Sequence, residues 1–372
     1  MTTGIPAASG PVGVALIGAG VISDQYLQAL TSFPDVRVVA VADLDTARAE
    51  AQAAKYGVEV AGDVDRVLAL PDVEIAVNLT VPAAHGVVAQ AALRAGKHVY
   101  GEKPLVLEHI EGESLLAEAA RRGLRVGCAP DTFLGAGVQS ARRAIDAGLI
   151  GSPISVATAT LSPGPESWHP SPEFLFQRGA GPLFDIGPYY LTALVSLFGP
   201  VERVAATARQ GRAQRVIGSG PKAGTAFQVE VPTHVTALMD FATGASASST
   251  FSFDSALSRT MIEITGTEGT LSVPDPNTFT GALKIRGRDD EDWRDLPVEG
   301  TDAGRGIGVL DMARALRAGT GHRASGDMAL HVLDTMSAIE GSSESGEFWP
   351  VASPCETPEP LPADWDPHAK TL

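Results

Sequence analysis

After ten residues without pattern, the chain enters Val12-Gly13-Val14-Ala15-Leu16-Ile17, an unbroken apolar run. A short run of this kind, closed by a turn, reads as a central parallel strand buried on both faces. A helical pattern follows from Ser23 to about Thr31. The alternation then repeats, with strands at Val36–Asp43, Val58–Val60, Glu74–Thr80, His98–Gly101 and Leu124–Cys128. Between them lie helical patterns at 45–55, 63–69, from the His85 region to Gly96, and at 108–122. Six strands alternating with helices predict an α/β fold whose N-terminal part is a doubly wound parallel sheet of the Rossmann type.

Beyond about residue 130 the pattern changes. A helix is expected from Phe133 to Ala147, then a strand at Ile154–Ser162. A loop rich in Pro, Trp and His follows, Ser162-Pro163-Gly164-Pro165-Glu166-Ser167-Trp168-His169-Pro170. Gly179-Ala180-Gly181-Pro182-Leu183-Phe184-Asp185-Ile186-Gly187-Pro188-Tyr189-Tyr190 leads into an apolar helix ending at Phe198. Strand-like alternation comes next. His234–Phe241 turns at Thr243-Gly244 into Ser246–Phe253 as a hairpin, and Gly266-Thr267-Glu268-Gly269 joins Met261–Thr265 to Thr270–Val273. Two late helices are expected at 305–318 and 326–341, and the Pro-rich tail from Pro354 reads as a loosely packed strap.

At 372 residues the chain exceeds what one hydrophobic core serves. The predicted organisation is a flexible arm (1–10), a nucleotide-binding domain (11–129), a second, substrate-binding and oligomerising α/β domain (130–353) and the tail (354–372). Composition refines this picture in a few places. No apolar run reaches 18 residues, so no membrane span is expected, and the first ten residues lack the basic start and apolar core of a signal peptide. A net charge of −16 speaks against a nucleic-acid surface. Cys128 and Cys355 lie far apart, and the eight histidines form no ligand spacing. Neither a disulfide framework nor a metal site is expected, and a cytoplasmic location is.

Candidate chemistry begins at the end of the first strand. Gly18-Ala19-Gly20-Val21-Ile22-Ser23 is a glycine loop with Ser23 in the third glycine place. The first glycine permits the tight turn, and the second lets the backbone approach a pyrophosphate at the helix N-terminus. Asp43, 20 residues beyond Ser23, ends the second strand where a carboxylate accepts the adenosine ribose hydroxyls; Asp43 or Asp45 could also cap the next helix, but the glycine loop favours the ribose role. With no arginine beside Asp43, NAD is favoured, and Arg48 one turn on keeps NADP open. Thr80, Val81, Pro82 and His85, after the fourth strand, are further candidate cofactor contacts. The fifth strand stops on Glu102-Lys103-Pro104, placing Lys103 at the carboxyl end of a strand, where such sheets bind ligands.

Taken together, Gly18-Ala19-Gly20, Asp43, Glu102-Lys103-Pro104 and Gly179-x-Gly181-x-x-x-Asp185-x-Gly187 resemble the glucose–fructose oxidoreductase / inositol dehydrogenase / rhizopine-catabolism family, over residues 12 to 350. The resemblance implies a nicotinamide cofactor, a C-terminal α/β domain with a large, mainly antiparallel open sheet that makes subunit contacts, and a sugar, cyclitol or related hydroxyl compound as substrate. It places Lys103 beside the nicotinamide and the reacting oxygen, with Glu102 supporting it. The family's usual histidine, four residues after the aspartate, is replaced here by Tyr189.

Two assignments of the proton transfer follow. In one, Lys103 stabilises a Tyr189 phenolate, while Asp185 binds substrate or holds Lys103 charged; a free tyrosine titrates near ~10 and needs such a cation to act as base. In the other, Lys103 moves the proton itself. Asp131, Trp168, His169 and Tyr190 are candidate substrate contacts, Tyr190 also reading as a core aromatic. The expected activity is an NAD(P)-dependent dehydrogenase or reductase working as a homo-oligomer, a dimer or tetramer, on a carbohydrate-like small molecule. The alternatives are an NAD-dependent glycoside-cleaving enzyme that oxidises its substrate transiently, and a non-catalytic nucleotide-sensing regulator.

Overall fold

The computed structural model describes residues 9–372, so all but the last two residues of the expected arm lie outside it. The first part of the chain alternates β1 (Val12–Ile17), α1 (Ser23–Leu30), β2 (Val36–Ala42), α2 (Thr46–Tyr56), β3 (Val60–Gly62), α3 (Val64–Leu68), β4 (Ile75–Asn78), α4 (His85–Arg94), β5 (His98–Gly101), α5 (His109–Arg122) and β6 (Val126–Cys128). The strands form one six-stranded sheet in the order β3-β2-β1-β4-β5-β6, parallel throughout. Every residue of β1 is buried, as its unbroken apolar run requires. Strand order reverses between β1 and β4, and a doubly wound sheet binds its ligand at that point. β3 begins two residues later than expected. Gly57, in the left-handed region at φ 68°, ends α2, and Val58 folds back to donate to the Ala53 carbonyl.

The chain continues through α6 (Ala136–Asp146), β7 (Pro153–Leu161), α7 (Gly181–Phe198), β8 (Val201–Arg209), β9 (Gln214–Val216), β10 (Ala226–Gln228), β11 (His234–Phe241), β12 (Ser246–Ser252), β13 (Arg259–Gly266), β14 (Gly269–Val273), β15 (Leu283–Gly287), β16 (Arg294–Leu296), α8 (Ile307–Ala318), α9 (Gly326–Ser345) and β17 (Trp349–Pro350). Nine strands form a second sheet in the order β16-β15-β14-β13-β7-β12-β11-β8-β17. Within it β7 and β12 run parallel and the other neighbours antiparallel. The expected hairpin forms, with Asp240 opposite Ser246. β11 buries every second residue, and α7 lies against β11 and β12. An almost wholly apolar helix such as α7 is stable only when buried on most sides. β9 and β10 pair separately as a small ribbon.

The described chain forms two compact units. The first holds the residues up to Gly135, Gly300–Leu330 and Leu361–Leu372; the second holds Ala136–Glu299 and His331–Pro360. The chain therefore returns to the first unit twice, where the sequence suggested a single crossing near 130 and a separate tail. Nor is the end of that tail loose. Asp35, fully buried, accepts the Thr371 hydroxyl at 2.6 Å, the Thr371 and Leu372 N–H groups at 2.9 and 3.0 Å, and Arg314 Nε at 2.8 Å. The Arg314 guanidinium also lies over the Trp365 ring, 4.6 Å from its centroid.

Candidate active site

In the first unit the glycine loop is shaped by close contact. Gly18 has φ 105°, and a Cβ there would stand 2.7 Å from the Leu79 carbonyl, so only glycine fits where the ends of β1 and β4 meet. At Gly20 an added Cβ would meet nothing within 4 Å, which leaves open ground before α1. Ser23, in the third glycine place, is buried. Its hydroxyl donates to the Gly20 carbonyl at 2.6 Å and accepts from Gln52 Nε2 at 2.9 Å, tying the loop to α2. Asp43 Oδ2 accepts the Ala19 N–H at 2.7 Å, and Oδ1 accepts the Asp45 N–H at 2.9 Å. Asp45, not Asp43, caps α2, so Asp43 is held against the loop with lone pairs to spare. Around these groups Val21, Leu44 and Val81 stand 93%, 98% and 68% exposed. Apolar side chains left bare at the carboxyl edge of the sheet, beside a pinned carboxylate and a helix N-terminus, fit an adenine dinucleotide.

The turn after β5 is braced from inside the same unit. Glu102 Oε1 accepts the Tyr26 hydroxyl at 2.8 Å, and Oε2 accepts the Lys103 backbone N–H at 3.0 Å. Burial first, then the Glu102 and Asp131 charges, hold the Tyr26 phenol well above its usual pKa. Lys103 is half-buried at the strand's end.

Two residues expected at the ligand are instead structural. His85 is 2% exposed, its ring nitrogens 2.6 Å from the Pro104 carbonyl oxygen and 3.0 Å from that of Thr80. It links the turns after β4 and β5 rather than facing a cofactor. Asp131 is fully buried, and its Oδ2 accepts the N–H groups of Gly306 and Gly308 at 2.8 and 3.1 Å, which caps the start of α8. Burial pushes its carboxyl up to about 6, against the pull of those two N–H groups.

In the second unit α7 lines a cavity of about 380 Å³ with Asp185, Ile186 and Tyr190. Thr160 and Ser162 from the β7 end, Pro165 and Trp168 from the following loop, Phe253, Arg259, Asp275 and Asn277 complete much of its wall. The lining mixes apolar side chains with carboxylates, a guanidinium, an amide and hydroxyls. Trp168 stands 68% exposed on this wall. Tyr190 packs edge-on against Phe251, with centroids 6.2 Å apart. Burial, then the Asp275 charge, pushes its phenol well above the usual tyrosine range, so it remains a neutral hydroxyl.

Asp185 and Tyr189 share one helical face as i and i+4. Pro188, however, stands inside α7 rather than at its start, and its missing N–H falls on the half-exposed stretch Phe184–Ile186. Tyr189 is 7% exposed and outside the cavity wall. His169 is also outside that wall. Its Nδ1 accepts the Ser171 N–H at 3.0 Å, and its ring packs edge-on against Trp168 and Phe174, so it shapes the loop.

Two family models match this sequence. Residues 12–129 match the oxidoreductase family with an NAD-binding Rossmann fold, and residues 138–272 match the GFO/IDH/MocA C-terminal domain. Over 302 residues the chain is 32% identical to the dTDP-3,4-didehydro-2,6-dideoxy-alpha-D-glucose 3-reductase of Streptomyces antibioticus, covering 79% of this chain and 84% of that one. The chain belongs to the GFO/IDH/MocA oxidoreductase family. A trans-1,2-dihydrobenzene-1,2-diol dehydrogenase of Bos taurus is 28% identical over 281 residues, 74% of this chain and 78% of the relative. Among solved structures, an NAD-binding oxidoreductase from Klebsiella pneumoniae is similar with a TM-score of 0.80 at 26% identity, covering 92% of this chain and 99% of that one.

As a GFO/IDH/MocA enzyme this protein is an NAD(P)-dependent dehydrogenase or reductase acting on CH–OH groups, with NAD as cofactor. Sequence reasoning missed Thr160, Arg259, Asp275 and Asn277 on the cavity wall. They come from strand ends and turns whose convergence depends on sheet order, and local pattern carries no signal of it. Among the described residues no cluster of His, Cys, Asp and Glu is arranged to hold a metal ion, and no helix is long and apolar enough to cross a membrane.

Proposed function

We propose that this enzyme moves a hydride between NAD and a hydroxyl-bearing or keto carbon of a sugar, cyclitol or related glycoside. The observation that carries the substrate class is the wall of the second-unit cavity. An indole face at Trp168 suits the C–H surface of a sugar ring. Asp185, Asp275, Asn277, Arg259 and Thr160 offer donors and acceptors for several hydroxyls, as polar groups fix orientation in an otherwise apolar pocket. The dideoxy-glucose reductase and the dihydrodiol dehydrogenase named above, both acting on ring compounds by name, support the reading.

When bound, NAD supplies the hydride acceptor or donor. The chain's residues would hold it with Gly18, Ala19, Gly20, Val21, Ile22 and Asp43, with Thr80, Val81 and Pro82 along the edge and Glu102 bracing the Lys103 turn. Lys103 carries the proton of the reacting oxygen. Tyr190, a phenol kept neutral because burial raises its pKa, is unsuited to that task. Asp185, half-exposed on the cavity wall, binds substrate. Tyr189 is kept as a second candidate for the proton.

A cytoplasmic homo-oligomer completes the proposal. Cys128 and Cys355 are not joined in a disulfide, and Leu238 stands 53% exposed on the outward face of β11, a sheet face suited to a second copy.

The test is spectrophotometric. Purified protein with NAD or NADP is mixed with sugars, cyclitols and glycosides, and the reduced-nicotinamide absorbance is followed. Substrate-dependent reduction of NAD, faster than that of NADP, is the expected result. Release of an aglycone with no such absorbance would replace this reading with the glycoside-cleaving one.

A further inference from the structure

The loop that carries Trp168 onto the cavity wall is clamped from behind by one residue of another strand. Arg215 lies on β9, far from the glycine loop, from Lys103 and from α7 in sequence. Its side chain is 2% exposed. One guanidinium nitrogen, Nη1, donates to the Pro163 carbonyl at 3.0 Å and to Glu166 Oε1. The other, Nη2, donates to the Phe253 carbonyl at 2.9 Å and to Asp254 Oδ1. Its flat face lies over the Phe176 ring, 5.1 Å from the centroid. Asp254 is further fixed by the Thr233 hydroxyl.

These partners alternate in sequence with the cavity wall. Pro163 and Glu166 are interleaved with Ser162, Pro165 and Trp168, and Phe253 is itself a wall residue. The hold continues from Glu166 to Trp168. The Glu166 carbonyl accepts the Gly218 N–H at 2.8 Å, and the Pro165 carbonyl accepts the N–H groups of Trp168 and His169 at 3.2 and 2.8 Å. Gly164 makes the close approach possible. At φ 109°, a Cβ there would lie 2.5 Å from Arg215 Nη1. A planar guanidinium with a fixed fork of donors can meet two carboxylates and two carbonyls at once, whereas a lysine ammonium offers no such fork.

We propose that Arg215 is the positioning residue of the substrate pocket, setting the place of Trp168 and thereby the affinity for the ring it covers. It touches neither cofactor nor reacting atoms. The affinity half of this inference rests on the reading of the cavity as a sugar or cyclitol site; the hold on Trp168 does not.

The test uses the full chain with Arg215→Lys, Arg215→Met and Glu166→Gln. Removing Arg215 strands two largely buried carboxylates and is expected to cost fold stability. Glu166→Gln leaves Arg215 paired with Asp254 and weakens one of its two contacts to the loop, the Pro163 carbonyl being the other, so it decides the matter if Arg215→Met fails to fold. The first readout needs no substrate. Acrylamide quenching and fluorescence anisotropy of Trp168, isolated as the difference from the same protein carrying Trp168→Phe, report how tightly the indole is held. Quenching is expected to rise about 2-fold, and anisotropy to fall, in Glu166→Gln and in Arg215→Met, with Arg215→Lys between them and wild type.

The second readout is kinetic, with D-glucose and myo-inositol as probes. KM is expected to rise about 10-fold, with kcat within a factor of about 3 and NAD affinity unchanged, since misplacing a binding wall costs orientation rather than chemistry. An unchanged Trp168 signal in folded Glu166→Gln overturns the proposal, as does a fall in kcat with KM constant. If wild type turns over neither probe nor any other member of the sugar, cyclitol and glycoside panel, the sugar reading fails, and the fluorescence arm still judges the hold of Arg215 on Trp168.

Discussion

Asp131 places a carboxyl under two backbone N–H groups at the start of α8, with its other oxygen buried and lacking a hydrogen bond. Burial raises its pKa from 3.8 to about 6. A carboxyl whose folded pKa is raised contributes stability that is fully present below about pH 4 and lost as pH rises through 6, roughly 3 kcal/mol in all. His98 works in the opposite sense. Burial and then Arg125 lower its pKa to about 4, so its contribution is lost as pH falls from 6.5 towards 4. The wild-type curve therefore mixes two opposed slopes, and the difference between wild type and Asp131→Asn separates them. Urea unfolding from pH 4 to 7 is expected to show the variant gaining roughly 3 kcal/mol on wild type across that range; a flat difference would contradict the burial argument. Gly18 and Asp43 were legible in the sequence because backbone geometry and the end of a strand dictate them. Asp131, His85 and His169 were not, because a polar residue beside a site can turn towards the ligand or towards a neighbouring backbone, and sequence spacing does not say which.

At the scale of elements, the alternating strands and helices of the first sheet could be read because each strand is an apolar run and each helix has its own period. The hairpin β11–β12 was legible from its glycine turn. β8, β15 and β16 were not, being edge or near-edge strands whose exposed positions break the apolar pattern, as in Val201-Glu202-Arg203-Val204. The parallel pairing of β7 with β12 joins segments some 90 residues apart in sequence, beyond any local signal. The tail misled because proline-rich composition resembles a loose strap, while its docking rests on the buried Asp35 and on Arg314, both distant in sequence. The hydrogen bonds of Thr371 and Arg314, with that of the Leu372 N–H, outweigh the effect of burial and hold the Asp35 carboxyl below its usual range. Deleting residues 361–372 leaves Asp35 with Arg314 alone and is expected to lower unfolding free energy by about 3 kcal/mol, read from the urea midpoint. An unchanged midpoint would show that the docked tail contributes nothing.

For the whole molecule, the two family models fall one on each side of residue 130, yet the chain returns twice to its first unit. The fold class was legible because the βαβ alternation and the change of pattern near residue 130 both lie in the linear sequence. In the first unit the candidate residues stand in contiguous stretches, the glycine loop and Glu102-Lys103-Pro104, which is why local sequence could point to them. The cavity wall, assembled from β7, α7, β13 and three loops, is not local in sequence. Lys103 is proposed to carry the proton in a hydride transfer to NAD. The most direct test of this role is single-turnover reduction of NAD by the best substrate of the sugar and cyclitol panel, followed at the reduced-nicotinamide absorbance in wild type and Lys103→Ala, with NAD affinity measured alongside. The expected result is a loss of about 10²- to 10⁴-fold in the hydride-transfer rate with NAD affinity retained; a Lys103→Ala enzyme that reduces NAD at the wild-type rate would contradict it.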